Sequence, residues 1–196
     1  MTPAGFLNLA WQTVVAPQDV ARLLLSLRLT HEALLLAFAT VVVLNALLFS
    51  LSVQMSPTAS PLQPILGSPV IFMLSLGGSL AIVALAITWT GRALGGAGRI
   101  ETVGLLLIWL QALRMLVQVA MLVLIPLSPQ LGAFLAFAAA IAGVWILVNF
   151  IEVAHEFGSL FKSALVLLLG VTGMALGVSI IFSLIGVTTT GLAGYV

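Results

Sequence analysis

An arginine stands in the middle of an apolar stretch, LLLIWLQALRMLVQVAMLVLIP, at residues 105–126. A guanidinium binds carboxylates and phosphates, and an ionisable side chain inside a membrane span marks an internal ion pair or a ligand site. Gln111, Arg114 and Gln118 recur at spacings of three and four, so a helix places them in one polar stripe. We expect this stripe to face other helices or a water-filled cavity rather than lipid.

Polar side chains in other apolar stretches are candidate partners for Arg114. Counted at 1.5 Å per residue, Arg114 lies about 18 Å from the start of its stretch, at a depth similar to that of Asn45. Glu152 is the acid best placed to pair with Arg114, because helical side chains lean toward the helix N-terminus and a long arginine extends toward water. The predicted polar cluster is Asn45, Gln111, Arg114, Gln118, Asn149 and Glu152. Three interpretations of this cluster remain open. It is an internal ion pair that fixes helix packing, a binding site for a substrate, lipid headgroup or ion, or a contact with a partner membrane protein.

Other residues lack the neighbours that their chemistry needs. His155 has no second histidine four residues away, and His31 and Glu32 are adjacent, so their side chains diverge on a helix. The glycine-rich segment GRALGGAGRIE, residues 91–101, lacks the lysine and Ser/Thr of a phosphate-binding loop. G-x-S-x-G is absent, and so is cysteine. We predict no metal, no cofactor and no enzymatic activity.

The composition predicts an integral membrane protein. Of the 196 residues, 62% are hydrophobic and 6% are charged, whereas soluble domains carry roughly 25% charged residues. The mean hydropathy is +1.32. The formal net charge of +1 leaves no basic surface for nucleic acid. The first residues contain no basic region followed by an apolar run and a small-residue cleavage site, so we expect no cleaved signal peptide.

Five stretches approach or exceed the roughly 20 apolar residues that cross a bilayer. They are residues 33–53, 69–90, 102–125, 131–151 and 164–186. A proline-rich segment at 57–69 and a tight turn at 126–130 separate two pairs of them. The predicted fold class is all-α, a polytopic membrane protein with five transmembrane helices.

The charged connections all belong to one side of this arrangement. Arg22 and Arg28 precede the first span, Arg92 and Arg99 lie between the second and third, and Lys162 lies between the fourth and fifth. The other connections and the tail VTTTGLAGYV are uncharged. The positive-inside rule therefore predicts a cytoplasmic N-terminus and an outside C-terminus. The predicted cytoplasmic interaction residues are Arg22, Arg28, Arg92, Arg99, His155, Glu156 and Lys162.

Residues 1–30 form a different kind of segment from residues 31–196, which form the five-helix domain. In APQDVARLLLSLRL, residues 16–29, Pro17 suits the first turn of a helix. The apolar residues at helical spacing are Val20, Leu23, Leu24 and Leu27. This pattern predicts an amphipathic helix that lies in the cytoplasmic interface or packs under the bundle, and residues 5–15 can continue it.

Small residues at helical spacing mark faces where helices approach closely. Gly173 and Gly177 form a G-x-x-x-G pair in the fifth span, and Gly77 and Gly78 stand in the second. We expect these faces to pack within the chain, with a homodimer as the alternative.

Three places in the sequence resemble the Yip family, five-span membrane proteins named for interaction with Ypt/Rab GTPases. They are the Ala-Pro pair at 16–17 before the first span, the Gly-Gly-x-Gly loop in GRALGGAGRIETV, and VWILVNFIEVAHEFGSLFKSALVLLL, with Trp145 and a loop containing histidine and glycine. The resemblance covers roughly residues 10–190. It implies a five-helix bundle and a non-enzymatic role. The Asp-Leu-Tyr-Gly-Pro motif of eukaryotic members does not occur in this sequence, so Rab binding is not among our predictions. The alanine- and leucine-rich, lysine-poor composition favours a bacterial member, in the cytoplasmic membrane.

Two functional hypotheses follow. The first is a scaffold, accessory subunit or membrane-organising factor that contacts the lipid bilayer and another membrane protein or a second copy of itself. The alternative is a small transporter or lipid-handling protein with a polar path around Arg114. A cavity lined by the polar cluster would favour the alternative, and a dry contact between Arg114 and Glu152 would favour the first.

Overall fold

A computed structural model describes residues 2–55 and 68–184 of the chain. These residues hold seven α-helices and no strand. The helices are α1 (Pro3–Val15), α2 (Pro17–Ser26), α3 (His31–Met55), α4 (Pro69–Ala93), α5 (Ile100–Leu127), α6 (Pro129–His155) and α7 (Leu160–Leu184). Residues 57–67 of the predicted proline-rich segment 57–69, and the uncharged tail, lie outside the described residues.

The five long helices, α3 to α7, are each apolar and long enough to cross a membrane. The predicted fold class is therefore confirmed. Each helix starts or ends beyond its apolar stretch, because helix formation continues through polar residues at the ends. The tight turn between α5 and α6 is also present. Ser128 caps α6 by accepting a hydrogen bond from the Leu131 N–H group, 3.5 Å away.

Two short helices, rather than one, precede the bundle. A proline inside a helix lacks an N–H donor and clashes with the preceding turn, so α1 ends at Val15 and Pro17 begins α2. Helix α1 packs on α5 through Trp109, whose indole Nε1 donates to the buried Thr13 hydroxyl at 3.0 Å and whose ring meets Phe6 edge-to-face. The N-terminal segment is therefore part of the folded structure.

Helix α2 buries a narrower face than its sequence predicts. Val20 and Leu24 are buried together with Ala21, whereas Leu23 and Leu27 are half or more exposed. The buried residues lie one helical turn apart on the side that meets the bundle, and Leu23 and Leu27 flank that side. Helix α2 thus packs under the bundle, and its exposed Leu23 and Leu27 leave the predicted contact with the membrane interface compatible with that packing.

The core lies at one end of the bundle, which we call the charged end. It is the end formed by the α2–α3, α4–α5 and α6–α7 connections, residues 27–30, 94–99 and 156–159. The buried apolar residues at its centre are Val20, Ala21, Leu24, Ala84, Ile87, Val103, Leu106, Leu107, Ile146, Phe150, Ile151, Ala154 and Val166. A void of about 10 Å³ among them has only apolar side chains in its lining, so this core is dry.

Packing loosens toward the opposite, uncharged end. No residue of α5 beyond Gln111 is buried, and in α6 only Gly132 is buried before Ile146. The helices are therefore closed around a core at the charged end and expose much of their surface toward the other end.

Candidate functional site

The predicted polar stripe of α5 is divided between the inside and the outside of the bundle. Gln111 is buried, Gln118 is half-buried, and Arg114 is exposed. At about 100° per residue, Gln111 and Gln118 differ by about 20° around the helix, whereas Arg114 lies about 60° to one side of Gln111. Arg114 is also the first polar residue beyond the last buried residue of α5. We expected the stripe to face other helices or a water-filled cavity, and the first of these is wrong for Arg114, which is exposed.

Arg114 and Glu152 do not form the predicted ion pair. Within residues 2–55 and 68–184, the ion pairs are Arg22 with Asp19, His31 with Glu101, and Arg99 with Glu101. Glu152 is half-buried, and its Oε2 atom has no hydrogen-bond partner among those residues. The dry contact that would have indicated a purely internal role for Arg114 is absent from this part of the chain.

The two asparagines of the predicted cluster are buried but bonded elsewhere. The Asn45 side chain, 1% exposed, donates to the Val41 carbonyl of its own helix at 2.8 Å. Asn149 accepts a hydrogen bond at 3.0 Å from the Gln18 side-chain amide, which comes from α2. The polar face of α6 is thus covered in part by the N-terminal segment, a contact that the sequence analysis missed. No feature of the sequence singled out Gln18, because it lies on a flank of α2 that also carries Arg22, which donates to the Gln18 side-chain oxygen at 3.4 Å.

Three buried acceptor oxygens within the described spans have no donor. They belong to Gln111, Gln118 and Glu152. A buried acceptor without a partner is costly, and a donor from outside the described residues would offset that cost.

The glycine-rich loop and the α6–α7 loop meet around one imidazole. His155, 1% exposed, lies against Gly91, Gly96 and Gly98, and a Cβ added at any of the three would overlap its side chain. Phe157 stacks on the ring, with ring centroids 5.3 Å apart. His155 is therefore unavailable as the surface interaction residue that the sequence predicts.

We call the arrangement of Gly91, Gly96, Gly98, His155 and Phe157 the histidine cradle. Backbone and side-chain hydrogen bonds stabilise it. The Ala97 N–H donates to the His155 carbonyl at 3.1 Å, and Arg92 Nε donates to the Gly98 carbonyl at 2.9 Å. Arg92 thus stabilises the loop as well as carrying charge. Sequence analysis identified both loops without anticipating their contact, because the residues are separated by more than fifty positions.

The remaining predicted interaction residues stay on the surface. Arg22, Arg28, Arg99, Glu156 and Lys162 are exposed. Among the described residues, no group of three or more His, Asp or Glu side chains is arranged to hold a metal ion.

The small-residue faces differ from one another. A Cβ at Gly77 would meet Phe38 of α3 at 3.7 Å, so this glycine serves packing within the chain. Nothing in the described chain lies within 4 Å of a Cβ built at Gly173 or Gly177. The expectation of internal packing is therefore confirmed for Gly77 and not for Gly78, Gly173 or Gly177, since a Cβ at Gly78 also meets nothing of the described chain within 4 Å.

The five apolar spans define the class of protein: a polytopic α-helical membrane protein whose outer surface contacts lipid. Comparison with known proteins finds no matching family model, no similar curated protein and no similar solved structure. The resemblance to the Yip family therefore stays a prediction.

Proposed function

We propose that the protein is a non-enzymatic membrane scaffold, accessory subunit or membrane-organising factor that binds another membrane protein through the face of α5 carrying Arg114. The exposed position of Arg114 in the middle of a span carries this proposal. The resemblance to the Yip family and the charge distribution supply the rest of the hypothesis. The charge distribution supports a cytoplasmic N-terminus, and the alanine- and leucine-rich, lysine-poor composition supports a bacterial inner membrane.

Arg114 is too deep in its helix for its charge to reach water easily. It is the fifteenth of the 28 residues of α5, so its Cα lies about 20 Å from either end of the helix. Leaning toward the helix N-terminus moves the guanidinium several ångströms at most. An arginine facing lipid at this depth costs roughly 2.5–3.5 kcal/mol on insertion scales. A polar group supplied from outside the chain removes that cost.

The chemistry of the guanidinium indicates what the partner offers. Arginine binds a carboxylate through two parallel hydrogen bonds, and the acid predicted for this role, Glu152, forms no ion pair with it. A partner helix with an aspartate or glutamate at matching depth would complete the pair. Leu110, Val117 and Gln118, about one turn from Arg114, are half-buried, so this face of α5 keeps exposed surface that a partner helix can contact.

A small transporter or lipid-handling protein is the alternative. The side-chain oxygens of Gln111, Gln118 and Glu152 that accept no hydrogen bond from the described residues favour this alternative, because a solute could donate hydrogen bonds to them. The dry core argues against it, since a solute entering between α4, α5 and α6 at the charged end would have to cross that core. No residue of the predicted polar cluster lines any of three cavities found in the described part of the chain, so these cavities do not provide the polar path that the alternative needs.

The experiment compares wild type and Arg114→Leu after gentle extraction from the native membrane and quantitative mass spectrometry of retained proteins. Arg114→Lys retains the charge, and Val123→Ala changes another exposed residue of the same helix. We expect one stoichiometric partner with wild type and Val123→Ala, and a loss of at least about tenfold with Arg114→Leu. The lysine variant should be intermediate, because it cannot form two parallel bonds.

The thermal midpoint of each purified variant shows whether the fold survives. Arg114→Leu should melt at or above the wild-type temperature, because it removes an exposed charge from an apolar span. Full retention of the partner by Arg114→Leu would refute the role of this face. Wild-type protein that carries no protein partner but one lipid species, whose retention falls with Arg114→Leu, would favour the alternative.

A further inference from the structure

A cavity of about 380 Å³ lies at the charged end, between the α2–α3 connection and the beginning of α5. Its polar lining consists of Arg28, His31, Arg99, Glu101 and Thr102, and four leucines form the rest. The volume falls within the range of small-molecule sites, about 300–1,000 Å³. None of these residues belongs to the α5 face around Arg114 or to the histidine cradle.

The lining carries excess positive charge. Glu101 is its one acid, and it is shared by Arg99 Nε at 3.5 Å and His31 Nε2 at 3.7 Å. Arg28 forms no hydrogen bond or ion pair through its side chain to any described residue. The lining therefore contains two guanidinium groups and one carboxylate, which leaves at least one full positive charge for a bound anion.

The start of α5 adds a second source of positive potential. Helix α5 begins at Ile100, and no side chain caps its first turn. The unpaired N–H groups of a first turn and the helix dipole both favour an anion. Glu101 and Thr102, both in that turn, line the cavity, so the dipole and the arginines act on the same space.

The apolar part of the lining identifies the rest of the ligand. Leu25, Leu29, Leu34 and Leu105 form a wall beside the charged groups. The cavity is larger than a phosphate ion needs, and it lies at the end of the spans, where headgroups meet acyl chains. A ligand that matches both parts has a phosphate at one end and methylene groups at the other.

The geometry points to a binding site for the phosphate of an anionic phospholipid, held by Arg28, Arg99 and the N-terminus of α5, with the acyl chains along the leucine wall. The bound lipid connects the α2–α3 linker to α5 and so keeps the N-terminal helices on the bundle. This inference is independent of the proposed protein partner, because the residues are different and lipid retention needs no second protein.

The backbone at Arg28 provides a variant that removes the charge without harming the fold. Arg28 has a φ of +43°, a left-handed conformation that favours glycine. Arg28→Gly therefore deletes the guanidinium and relieves strain at the same position. A fall in lipid binding by this variant cannot result from unfolding if its melting temperature stays at or above that of wild type.

The test is native mass spectrometry of the full chain released from nanodiscs made of equal parts phosphatidylglycerol and phosphatidylcholine. We expect wild type to retain more phosphatidylglycerol than phosphatidylcholine. In Arg28→Gly and in Arg99→Gln, the ratio of retained phosphatidylglycerol to phosphatidylcholine should fall about fivefold. Arg22→Gln is the matched control, since Arg22 is an exposed arginine of α2 that pairs with Asp19 outside the cavity. It should keep the wild-type preference.

Glu101→Gln has the opposite expected effect. Removing the competing carboxylate should raise retention of phosphatidylglycerol by about twofold to fivefold, a gain that a misfolded protein would not show. The inference is overturned if wild type shows no preference between the two lipids, if Arg22→Gln loses as much as Arg28→Gly, or if Glu101→Gln lowers retention.

Inorganic phosphate distinguishes a soluble anion from a lipid. The thermal midpoint is measured in phosphatidylcholine nanodiscs with sodium phosphate or with sodium chloride at equal ionic strength. We expect no difference, because free phosphate leaves the leucine wall uncovered. A phosphate-specific increase that Arg28→Gly abolishes, together with no retention of phosphatidylglycerol, would assign the cavity to a soluble phosphate and overturn the lipid.

Discussion

The His155 side chain occupies the space beside Gly91 that a larger residue would need. A Cβ at Gly91 would overlap the imidazole ring, and so would one at Gly98. His155 ends α6 and Gly91 lies near the end of α4. The two glycines therefore allow the last turns of two spans and the loop between α4 and α5 to close around one buried side chain.

Gly91→Ala should destabilise the protein by about 1–3 kcal/mol, the usual effect of adding a methyl group to a packed site. The measurement is the thermal midpoint in detergent. Gly78→Ala is the control, because it also lies inside α4 and a Cβ there meets nothing within 4 Å. It should be neutral or stabilising by up to about 1 kcal/mol, since alanine favours helix.

His155→Ala removes the imidazole ring with which the added methyl group of Gly91→Ala would clash. The double variant Gly91→Ala/His155→Ala should therefore be no less stable than His155→Ala alone. If adding Gly91→Ala lowers the midpoint equally in both backgrounds, the histidine cradle is not the reason that position 91 is glycine.

The hydrogen bond between Gln18 and Asn149 should hold α2 against α6. A double-mutant cycle with Gln18→Ala and Asn149→Ala should give a coupling free energy of about 1 kcal/mol. Asn149→Ala should be the more damaging single change, because its side chain also donates to the Trp145 carbonyl at 2.8 Å. Gln12→Ala, at an exposed glutamine of α1, should have little effect. Additive single effects would show that the bond does not stabilise the contact between helices.

Glu156 and Gly158 should respond in opposite directions to substitution. Both have left-handed backbones, with φ of +55° and +62°. Glu156→Gly removes the strain of a side chain in that conformation and should raise stability by about 1 kcal/mol, while Gly158→Ala should lower it by a similar amount. Thermal midpoints of the two variants measure this directly. Equal shifts of the same sign would contradict this account of the α6–α7 loop.

The orientation of the chain can be tested because the sequence contains no cysteine. Ser26→Cys places a thiol at the charged end and Gln130→Cys at the uncharged end, both at exposed positions. The positive-inside rule predicts that a membrane-impermeant maleimide labels only Gln130→Cys in intact cells and labels both after lysis. Labelling of only Ser26→Cys in intact cells would reverse the predicted topology.

Much of the architecture was predictable because it depends on local composition. A run such as residues 131–151 is apolar throughout, and in lipid only a helix satisfies its backbone groups internally. Pro17 marked the start of α2 for an equally local reason, since proline fits a first helical turn. Spacing also placed Gln111 and Gln118 on one face correctly.

Contacts between distant segments could not be predicted from local composition and spacing. Periodicity relates residues within one helix, but it does not say how far a buried face extends or which helix covers it. Arg114 is exposed because the packed core of α5 ends at Gln111, and that limit depends on how far the neighbouring helices cover α5. His155 is buried because a loop more than fifty residues earlier supplies glycines around it.

Five apolar spans, an amphipathic N-terminal segment and charged connections on one side could be predicted from the sequence, because each depends on residue type and short-range spacing. Three relationships became visible only in the folded chain: Arg114 is exposed, Gln18 bonds to Asn149, and Arg28 and Arg99 line one cavity with the start of α5. These relationships depend on the angles and offsets at which helices pack, which many distant side chains set together.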